Sequence, residues 1–201
     1  MSRLLSTFAL AAVLATPGFA SDPKAGMARD TMGPVEMAGI RLENFGLVDG
    51  RIYRGEQPGE NDYQALKALG ITTVVDLRAD SEGYARSRAE AAGLRYVNIP
   101  MKPKKTPTDA EAARFLEIVD SGAADDKYYV HCAGGRHRTG AMVAIYRMVK
   151  NGWNVARAYD EMKAYDYYTR WGHGGYKTYV HDYFKRMSEN PSSVPVAYVK
   201  Q

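Results

Sequence analysis

The sequence predicts an α/β fold: a mainly parallel central sheet flanked by helices, followed by a helical C-terminal part. Between residues 62 and 149, helical patterns alternate with short runs of β-branched and aromatic residues. Strands separated by helices need crossover connections, which make neighbouring strands parallel and cover both faces of the sheet. A loop with two glycines directly follows the buried run at 127–130, at the carboxyl end of a strand, where open α/β sheets bind ligands.

The first elements of the chain are a hairpin and two helix–strand pairs. Residues 40–54 predict the hairpin, because Asp49-Gly50 is a strong two-residue turn signal between two apolar runs. The elements that follow are a helix at 62–69, a strand at 71–77, a helix at 82–92 and a strand at 94–99. Gly70 and Gly93 follow the two helices at the position where a glycine commonly ends a helix.

Four helices are predicted around and after the loop: 108–120, 141–149, 155–164 and 175–187. Pro100 ends the strand before them, because proline lacks the N–H group that a sheet ladder needs. Thr108 and Glu111 form a capping box at the start of the first helix. Asn154 is placed to cap the third helix, and the helix after the loop is apolar enough to lie in the core.

Residues 1–20 predict a cleavable signal peptide. Arg3 gives a positive start, residues 4–15 are a short apolar stretch, and small residues precede a cleavage site after Ala20. About a dozen apolar residues are too few to span a bilayer, so we expect export, to a bacterial periplasm in preference to a eukaryotic secretory route, with no membrane association after cleavage. The remainder divides into a flexible lead-in (21–39), one folded domain (40–188) and a C-terminal tail (189–201).

The charge of the chain is mildly basic. The 201 residues include 27 Lys and Arg and 23 Asp and Glu, and the loss of Arg3 with the signal peptide leaves a net charge of about +3. This balance is compatible with an anionic substrate and too weak to indicate a nucleic acid partner. Cys132 is the only cysteine, so no internal disulfide can form and a free thiol remains even in an oxidising compartment.

The loop at 131–140 reads His-Cys-Ala-Gly-Gly-Arg-His-Arg-Thr-Gly. Five residues separate Cys132 from Arg138, a spacing that lets the chain curl until both side chains face one centre. The start of the next helix, the loop amides and Arg138 all favour negative charge, so the Cys132 thiol should ionise well below its usual pKa of about 8.5. Gly134 and Gly135 remove the Cβ atoms that would prevent a close backbone approach. The loop therefore predicts a cradle for a phosphate dianion.

The pattern His-Cys-x5-Arg-Thr-Gly resembles the signature of the cysteine-dependent protein-tyrosine and dual-specificity phosphatase superfamily. The glycine, basic residue and histidine before the arginine most resemble the atypical dual-specificity phosphatases of plants and fungi. The resemblance implies a dual-specificity-phosphatase-like fold, Cys132 as nucleophile, Arg138 as phosphate clamp, and no metal or other cofactor. It also implies that His131 and Thr139 tune the thiolate. The phosphate-binding loop would consist of Ala133, Gly134, Gly135, Arg136, His137 and Arg138.

A general acid is not evident in the usual place. Relatives of this type carry an aspartate on the loop after the strand that corresponds to 94–99, whereas residues 101–107 here contain no carboxylate. Asp109 is the first candidate, although the first turn of a helix also gives an aspartate a structural role. Asp80 and Asp166 are the other candidates.

Two further groups of residues have a structural and a functional interpretation. Asp76 and Arg78 end a strand, and we interpret them as ion-paired with each other or with Arg54 to hold the loops. Residues 165–176 are rich in aromatic side chains, most of which should pack between helices, while the glycines leave room for a mobile wall beside the pocket.

Several functions fit this loop. The first is an exported phosphatase of the protein-tyrosine or dual-specificity type, acting on a phosphorylated protein. The second uses the same chemistry on a small polyanion such as an inositol polyphosphate or pyrophosphate, which Arg136 would favour with Lys102, Lys104 and Lys105 at the pocket mouth. The third is a pseudophosphatase that binds phosphate or phosphopeptides without turnover, because the usual acid is missing. A sulfurtransferase of the rhodanese type fits less well, since the Arg-Thr-Gly helix start suits a tetrahedral dianion.

Overall fold

The computed structural model describes residues 33–37 and 39–194. The predicted signal peptide, residues 21–32 and 38 of the lead-in, and residues 195–201 of the tail lie outside the described residues. No helix in the described part of the chain has the length and apolar composition needed to cross a membrane.

A mixed sheet of five strands forms the centre of the described fold, in the order β1-β2-β5-β3-β4. Only the pair β1–β2 is antiparallel, and the other three pairs are parallel, as the alternation of helix and strand predicts. The strands are β1 (Gly46–Leu47), β2 (Ile52–Gly55), β3 (Thr73–Arg78), β4 (Arg95–Met101) and β5 (Tyr128–His131).

Six α-helices surround the sheet. They are α1 (Asp62–Ala68), α2 (Ala85–Ala91), α3 (Asp109–Asp120), α4 (Arg138–Asn151), α5 (Val155–Ala164) and α6 (Gly174–Glu189), with a short 3₁₀ helix at Pro191–Ser193. The capping box is confirmed: Thr108 Oγ1 accepts from Glu111 N at 3.3 Å, and Glu111 Oε2 accepts from Thr108 N at 2.7 Å. Asn154 Oδ1 caps α5 by accepting from Arg157 N at 2.9 Å.

Each face of the sheet has its own apolar core. Alternate residues of a strand point to opposite faces, so Val74 and Tyr129 join one cluster, with α1 and α2, while Val75 and Val130 join the other, with α3 to α6. The hairpin turn lies beside this second cluster, where Asp49 Oδ1 accepts hydrogen bonds from the two backbone N–H groups that open β2. Both faces are therefore covered, as a mainly parallel sheet requires.

Two of the predicted boundaries that are wrong lie close to the loop. β4 continues through Pro100 to Met101, because β4 is an edge strand and its register with β3 shifts near Arg78. Proline is tolerated at such positions because no ladder hydrogen bond is required there. Helix α4 begins at Arg138, three residues before the apolar run, because the polar end of the loop already has helical geometry. The phosphate-clamp candidate thus lies in the first turn of a helix.

The central strand β5 delivers the loop to the middle of the sheet's carboxyl edge. His131, its last residue, is in register with Gly55 of β2 on one side and with Asp76 of β3 on the other. Cys132 follows directly, so the ends of both neighbouring strands flank it. This position allows the segments after β2, β3 and β4 to contact one site.

Candidate active site

The carbonyl groups of the loop are turned outward and held by its neighbours. The oxygens of residues 133, 134 and 135 each accept one hydrogen bond from outside the loop. The donors are, in that order, Gln57 N (3.0 Å), Asn44 Nδ2 (2.9 Å) and Arg54 Nη2 (2.8 Å). With the carbonyls fixed in this way, the N–H groups are left to face the centre of the loop, where they can bind an anion.

Only one of the two loop glycines is required by close packing. Gly135 has a φ of +67°, and a Cβ there would lie 2.5 Å from the carbonyl carbon of Gly55. Gly134 would place a Cβ 3.6 Å from the flexible side chain of Arg136, which is an ordinary contact. The sequence interpretation treated both glycines alike, whereas the structure assigns the close approach to Gly135 alone.

Cys132 is buried, yet its surroundings favour the thiolate. Burial by itself raises the pKa of the thiol, but the positive charge of Arg138 and hydrogen bonds from Thr139 and Gly135 hold it below the ordinary value. The Thr139 hydroxyl makes no other hydrogen bond within the described residues, which leaves it available to the sulfur. Geometry and charge together therefore favour the ionised form of Cys132.

Arg138 lies at the same centre and is itself held in place. Its Nη1 donates to the carbonyl oxygen of Met101 at 3.0 Å and lies 3.5 Å from Asp80 Oδ1. The side chain is almost fully buried beside Cys132, with which it lines one pocket. The Met101 and Asp80 contacts occupy one side of the guanidinium fork and orient it, so the remaining N–H groups can grip two oxygens of a phosphate.

His131 and Asp76 form a buried pair beneath the loop. His131 Nδ1 lies 3.3 Å from the carbonyl oxygen of Cys132 and 3.9 Å from Asp76 Oδ1. Burial lowers the pKa of His131 to about 4, although Asp76 opposes that shift. At neutral pH the ring is therefore uncharged, and it acts on the loop through its backbone contact. Asp76 also accepts from Tyr96 Oη at 2.6 Å and from Arg78 N at 2.8 Å, which fixes the end of β3.

The pocket above Cys132 has a volume of about 200 Å³ and an aromatic wall. The loop forms its floor, and segments after β4 and α5 form its sides. The lining residues from outside the loop are Pro103, Lys104, Tyr168, His173 and Tyr176. The aromatic residues at 165–176 therefore include wall residues as well as packing residues. Within the described part of the chain, no carboxylate lines this pocket.

The three candidate acids have different positions. Asp109, ranked first from the sequence, accepts from Arg186 Nη2 at 2.9 Å and from Tyr179 Oη at 3.0 Å, and it does not line the pocket. Asp80 contacts Arg138 and, at 3.5 Å, Arg78 Nε. Asp166 lies 3.8 Å from Arg136 Nε on the outer rim. The geometry therefore gives no support to Asp109 as the acid and makes Asp80 the carboxylate nearest to the clamp.

Arg136 is paired with acidic residues at the pocket rim. Its Nη2 lies 3.1 Å from Glu43 Oε2, in addition to the longer contact with Asp166. Of the three lysines in the neighbouring loop, Lys104 lines the pocket, whereas the structure places neither Lys102 nor Lys105 there. Local carboxylates thus pair with Arg136, the residue whose charge would favour a polyanionic substrate.

Sequence reasoning missed the residues that reach the loop from far along the chain. Asn44 lies 90 positions before its partner carbonyl and has the left-handed φ of 52° that asparagine tolerates. His173 lies after α5 in a segment whose aromatic residues resembled packing residues. Arg54 and Gln57 also hold the loop, from the end of β2 and from the segment just after it. The local sequence pattern around each of these residues does not predict such long-range contacts.

Comparison with known families places the chain among phosphatases. The family model described as "DSP-PTPase phosphatase fused to NAD+ Kinase" matches residues 44–171. The dual specificity protein phosphatase TpbA of Pseudomonas aeruginosa is 30% identical over 112 residues, which are 56% of this chain and 50% of that protein. The inositol diphosphatase SIW14 of Saccharomyces cerevisiae is 26% identical over 134 residues, 63% of this chain and 46% of that protein. The chain thus spans about half the length of the curated relatives it matches.

Solved structures of two such proteins share the fold. A P. aeruginosa TpbA variant in complex with phosphotyrosine superimposes with a TM-score of 0.63 at 22% identity, covering 81% of this chain and 99% of that one. The catalytic core of SIW14 from S. cerevisiae, in complex with citrate, gives a TM-score of 0.60 at 22% identity, with 79% and 99% covered. These likenesses confirm the predicted dual-specificity-phosphatase-like architecture.

The two loop glycines should respond differently to alanine. Gly135→Ala requires a strained φ and a backbone shift, so we expect the free energy of unfolding to fall by about 1–3 kcal/mol and phosphate binding to be lost. Gly134→Ala, the matched control, should change stability by about 0.5 kcal/mol or less. Chemical unfolding and calorimetric titration with phosphate measure both effects. Equal losses in the two variants would contradict the close-packing argument.

Asp109→Asn should affect stability and leave catalysis unchanged. The hydrogen bond from Arg186 lowers the pKa of Asp109, so its stabilising contribution is present above the unfolded pKa of about 3.9 and is lost as pH falls through the folded pKa. We expect the variant to lose about 1 kcal/mol of stability at pH 7 and much less at pH 3. The exposed Asp125→Asn is the control. A selective loss of activity toward alkyl phosphates in Asp109→Asn would restore its role as acid.

Proposed function

The chain belongs to the DSP-PTPase phosphatase family, and on that premise we propose that it hydrolyses phosphomonoesters through a phospho-cysteine intermediate. The observation that carries the proposal is the meeting of a thiolate-favouring Cys132, the oriented Arg138 and the inward N–H groups of one loop in one pocket. This arrangement suits a phosphate dianion in both size and charge. The proposal requires no metal and no other cofactor.

The reaction has two steps on this geometry. The Cys132 sulfur attacks phosphorus, the bond from phosphorus to the ester oxygen breaks, and the departing oxygen takes a proton. Water then attacks the phosphorus, the bond from sulfur to phosphorus breaks, and inorganic phosphate leaves. In both steps Arg138 and the loop N–H groups stabilise the equatorial oxygens, and the Thr139 hydroxyl stabilises the departing thiolate in the second. His131 supports the loop from below as a neutral ring.

The wall of the pocket favours a substrate with an aromatic side chain. Tyr168, His173 and Tyr176 surround the cradle, and a tyrosine ring entering between them would bury apolar surface on both faces. TpbA, 30% identical over its matched half, is named a dual specificity protein phosphatase. We therefore assign this chain to the protein-tyrosine or dual-specificity type, with a phosphorylated protein as substrate.

A polyanionic substrate is the second candidate. Lys104 and Arg136 line the pocket beside the cradle and would attract additional phosphate groups. SIW14, 26% identical over 63% of this chain, is named an inositol diphosphatase. Against this candidate, Glu43 and Asp166 already pair with Arg136 and reduce the positive charge that it offers.

We also propose that the enzyme acts outside the cytoplasm, most simply in a periplasm. The support is the amino-acid sequence of residues 1–20, with its positive start, short apolar stretch and small residues before Ala20. The single-cysteine composition fits an oxidising compartment, because no second thiol can trap Cys132 in an internal disulfide. Cell fractionation with detection of the N-terminus by mass spectrometry tests the location and the cleavage site together.

Replacement of the nucleophile tests the central proposal. Cys132→Ser should fold normally and lose at least about 10⁴-fold in turnover, the scale on which removal of a catalytic nucleophile acts. The serine variant should still bind phosphotyrosine. In the wild type, rapid acid quenching followed by mass spectrometry should find a phosphoryl group on the peptide that contains Cys132. Substantial phosphate release by the serine variant would exclude the mechanism, and wild-type binding without turnover would indicate a pseudophosphatase.

A substrate panel with Arg136→Ala separates the two substrate classes. If polyanions are the substrates, the variant should lose about tenfold or more in kcat/KM for an inositol polyphosphate, the ~1.5–3 kcal/mol of a hydrogen bond to a charged group. A phosphotyrosine peptide should lose much less. Arg114→Ala, which removes an exposed arginine paired with Glu117, is the control. Equal losses on both substrates, or better hydrolysis of phosphotyrosine peptides by every variant, would exclude the polyanion candidate and leave the protein-phosphatase assignment as the remaining one.

A further inference from the structure

The pocket wall contains two histidines that the proposed reaction has not yet used. The rings of His137 and His173 stack with their centroids 3.7 Å apart and their planes 20° apart. His137 belongs to the loop, and His173 comes from the segment between α5 and α6, 35 residues after Arg138. Both line the pocket that holds Cys132. No carboxylate of the described residues lines it, and the imidazole is the side chain whose unperturbed pKa lies closest to neutral pH, so these two rings are the candidates for proton transfer there.

The first ring of the pair is a fixed, neutral partner. Burial, and to a lesser extent the neighbouring His173, lower the pKa of His137 to about 4, against a hydrogen bond to the Tyr168 backbone that raises it. The ring is held by that backbone contact, by an edge contact with the Tyr168 ring at 4.5 Å and by the stack itself. His137 therefore supplies a rigid surface and stays unprotonated at neutral pH.

The second ring is the one that can carry a proton. His173 is half-buried, and its pKa lies below the ordinary 6.5 because of burial and the positive charges of Lys104 and Arg138. Asp80 is the carboxylate nearest to the clamp. Slight burial raises its pKa, but Arg78 holds that pKa below the ordinary value of 3.8. A bound phosphate dianion raises both values, since an adjacent negative charge favours protonation.

His173 is also held in a fixed position in the pocket wall. Its carbonyl oxygen accepts from Tyr167 Oη at 2.8 Å, and the same hydroxyl accepts from Lys177 N at 3.0 Å at the start of α6. The ring is fixed between the stack with His137 and an edge contact with Tyr168 at 5.2 Å. Its Nδ1 is buried and has no hydrogen-bond partner within the described residues.

We propose that His173 is the general acid of this phosphatase and that His137 is its positioning residue, an inference that rests on the proposed function. In the first step the imidazolium of His173 gives its proton to the ester oxygen as the bond from that oxygen to phosphorus breaks. The imidazole is left neutral. In the second step it takes a proton from the water that attacks the phospho-cysteine, which restores the imidazolium. Protons and charges balance over the cycle with no further reactant.

The charged and titratable groups facing His173 define when it is protonated. Lys104, Arg136 and Arg138 oppose the proton on His173, whereas the Cys132 thiolate and the bound dianion favour it. Burial raises the pKa of Tyr176, which therefore stays neutral in the working range. The rate on substrates with poor leaving groups should therefore fall as pH rises through the pKa of His173 in the complex. The rate on p-nitrophenyl phosphate, whose leaving group barely needs a proton, should not show this descending limb.

The test compares His173→Gln with the wild type on phosphoserine and on p-nitrophenyl phosphate. We expect kcat to fall 10²- to 10⁴-fold on phosphoserine and less than tenfold on p-nitrophenyl phosphate, with loss of the descending limb. His181→Gln is the matched control, because His181 is a histidine of α6 that does not line the pocket. It should leave kcat on both substrates unchanged. In His173→Gly, added imidazole should restore phosphoserine hydrolysis selectively. Thermal unfolding of each variant reports any general loss of structure.

Three outcomes would overturn the inference. Equal losses of kcat on both substrates in His173→Gln would show that His173 only forms part of the pocket wall. A leaving-group-selective loss in Asp80→Asn, with none in His173→Gln, would move the acid to the carboxylate. If the wild type shows the same descending limb of the pH–rate profile on both substrates, His173 is also excluded as the general acid. In these cases turnover by the wild type leaves the proposed function intact, whereas a wild type that binds phosphate without releasing product would overturn both.

Discussion

The contact between Gly135 and the backbone at the end of β2 is the constraint on which the site depends. A Cβ at residue 135 would lie 2.5 Å from the carbonyl carbon of Gly55, so loop and strand touch with no side chain between them. This closeness lets Arg54 and Gln57, at and just after β2, reach loop carbonyls. Once the carbonyls are turned outward, the N–H groups can only turn inward. The anion cradle is thus a consequence of strand packing more than of the loop's own sequence.

A buried positive charge lies behind the cradle. Arg54 is completely buried, with its guanidinium 3.7 Å from the Tyr165 ring centroid, and burial lowers its pKa. The carboxylate of Glu161 opposes that shift. The Cys132 thiolate adds to the stabilisation of Arg54, and by reciprocity Arg54 stabilises the thiolate. The thiolate form of Cys132 is therefore favoured by positive charge on two sides, from Arg138 in the pocket and from Arg54 behind the loop.

The sequence predicts what is local and misses what is assembled across the chain. Strand, loop and first helical turn are contiguous, so the spacing of Cys132 and Arg138 was sufficient to find the centre of the site. The prediction that Pro100 ends a strand was wrong, because proline interrupts a central strand but is tolerated in an edge strand. Which of the two applies depends on the assembled sheet. The ranking of Asp109 rested on proximity along the chain, and α3 and α6 instead direct that carboxylate toward Arg186. His173 gave no signal, because nothing in its neighbourhood separates a wall residue from a packing residue.

A pocket without carboxylates on its wall changes how binding and protonation are linked. In a site with an aspartic acid, the acid must hold a proton beside an incoming dianion or else repel it once ionised. A histidine is neutral when unprotonated and attractive when protonated, so the dianion meets no like charge in either state. Binding of the dianion raises the pKa of His173, and by linkage protonation of His173 tightens binding by the same free energy. Substrate binding therefore favours protonation of His173, and the same proton is then transferred to the leaving group. Because His137 stays neutral, His173 is the ring of the stacked pair that carries this proton.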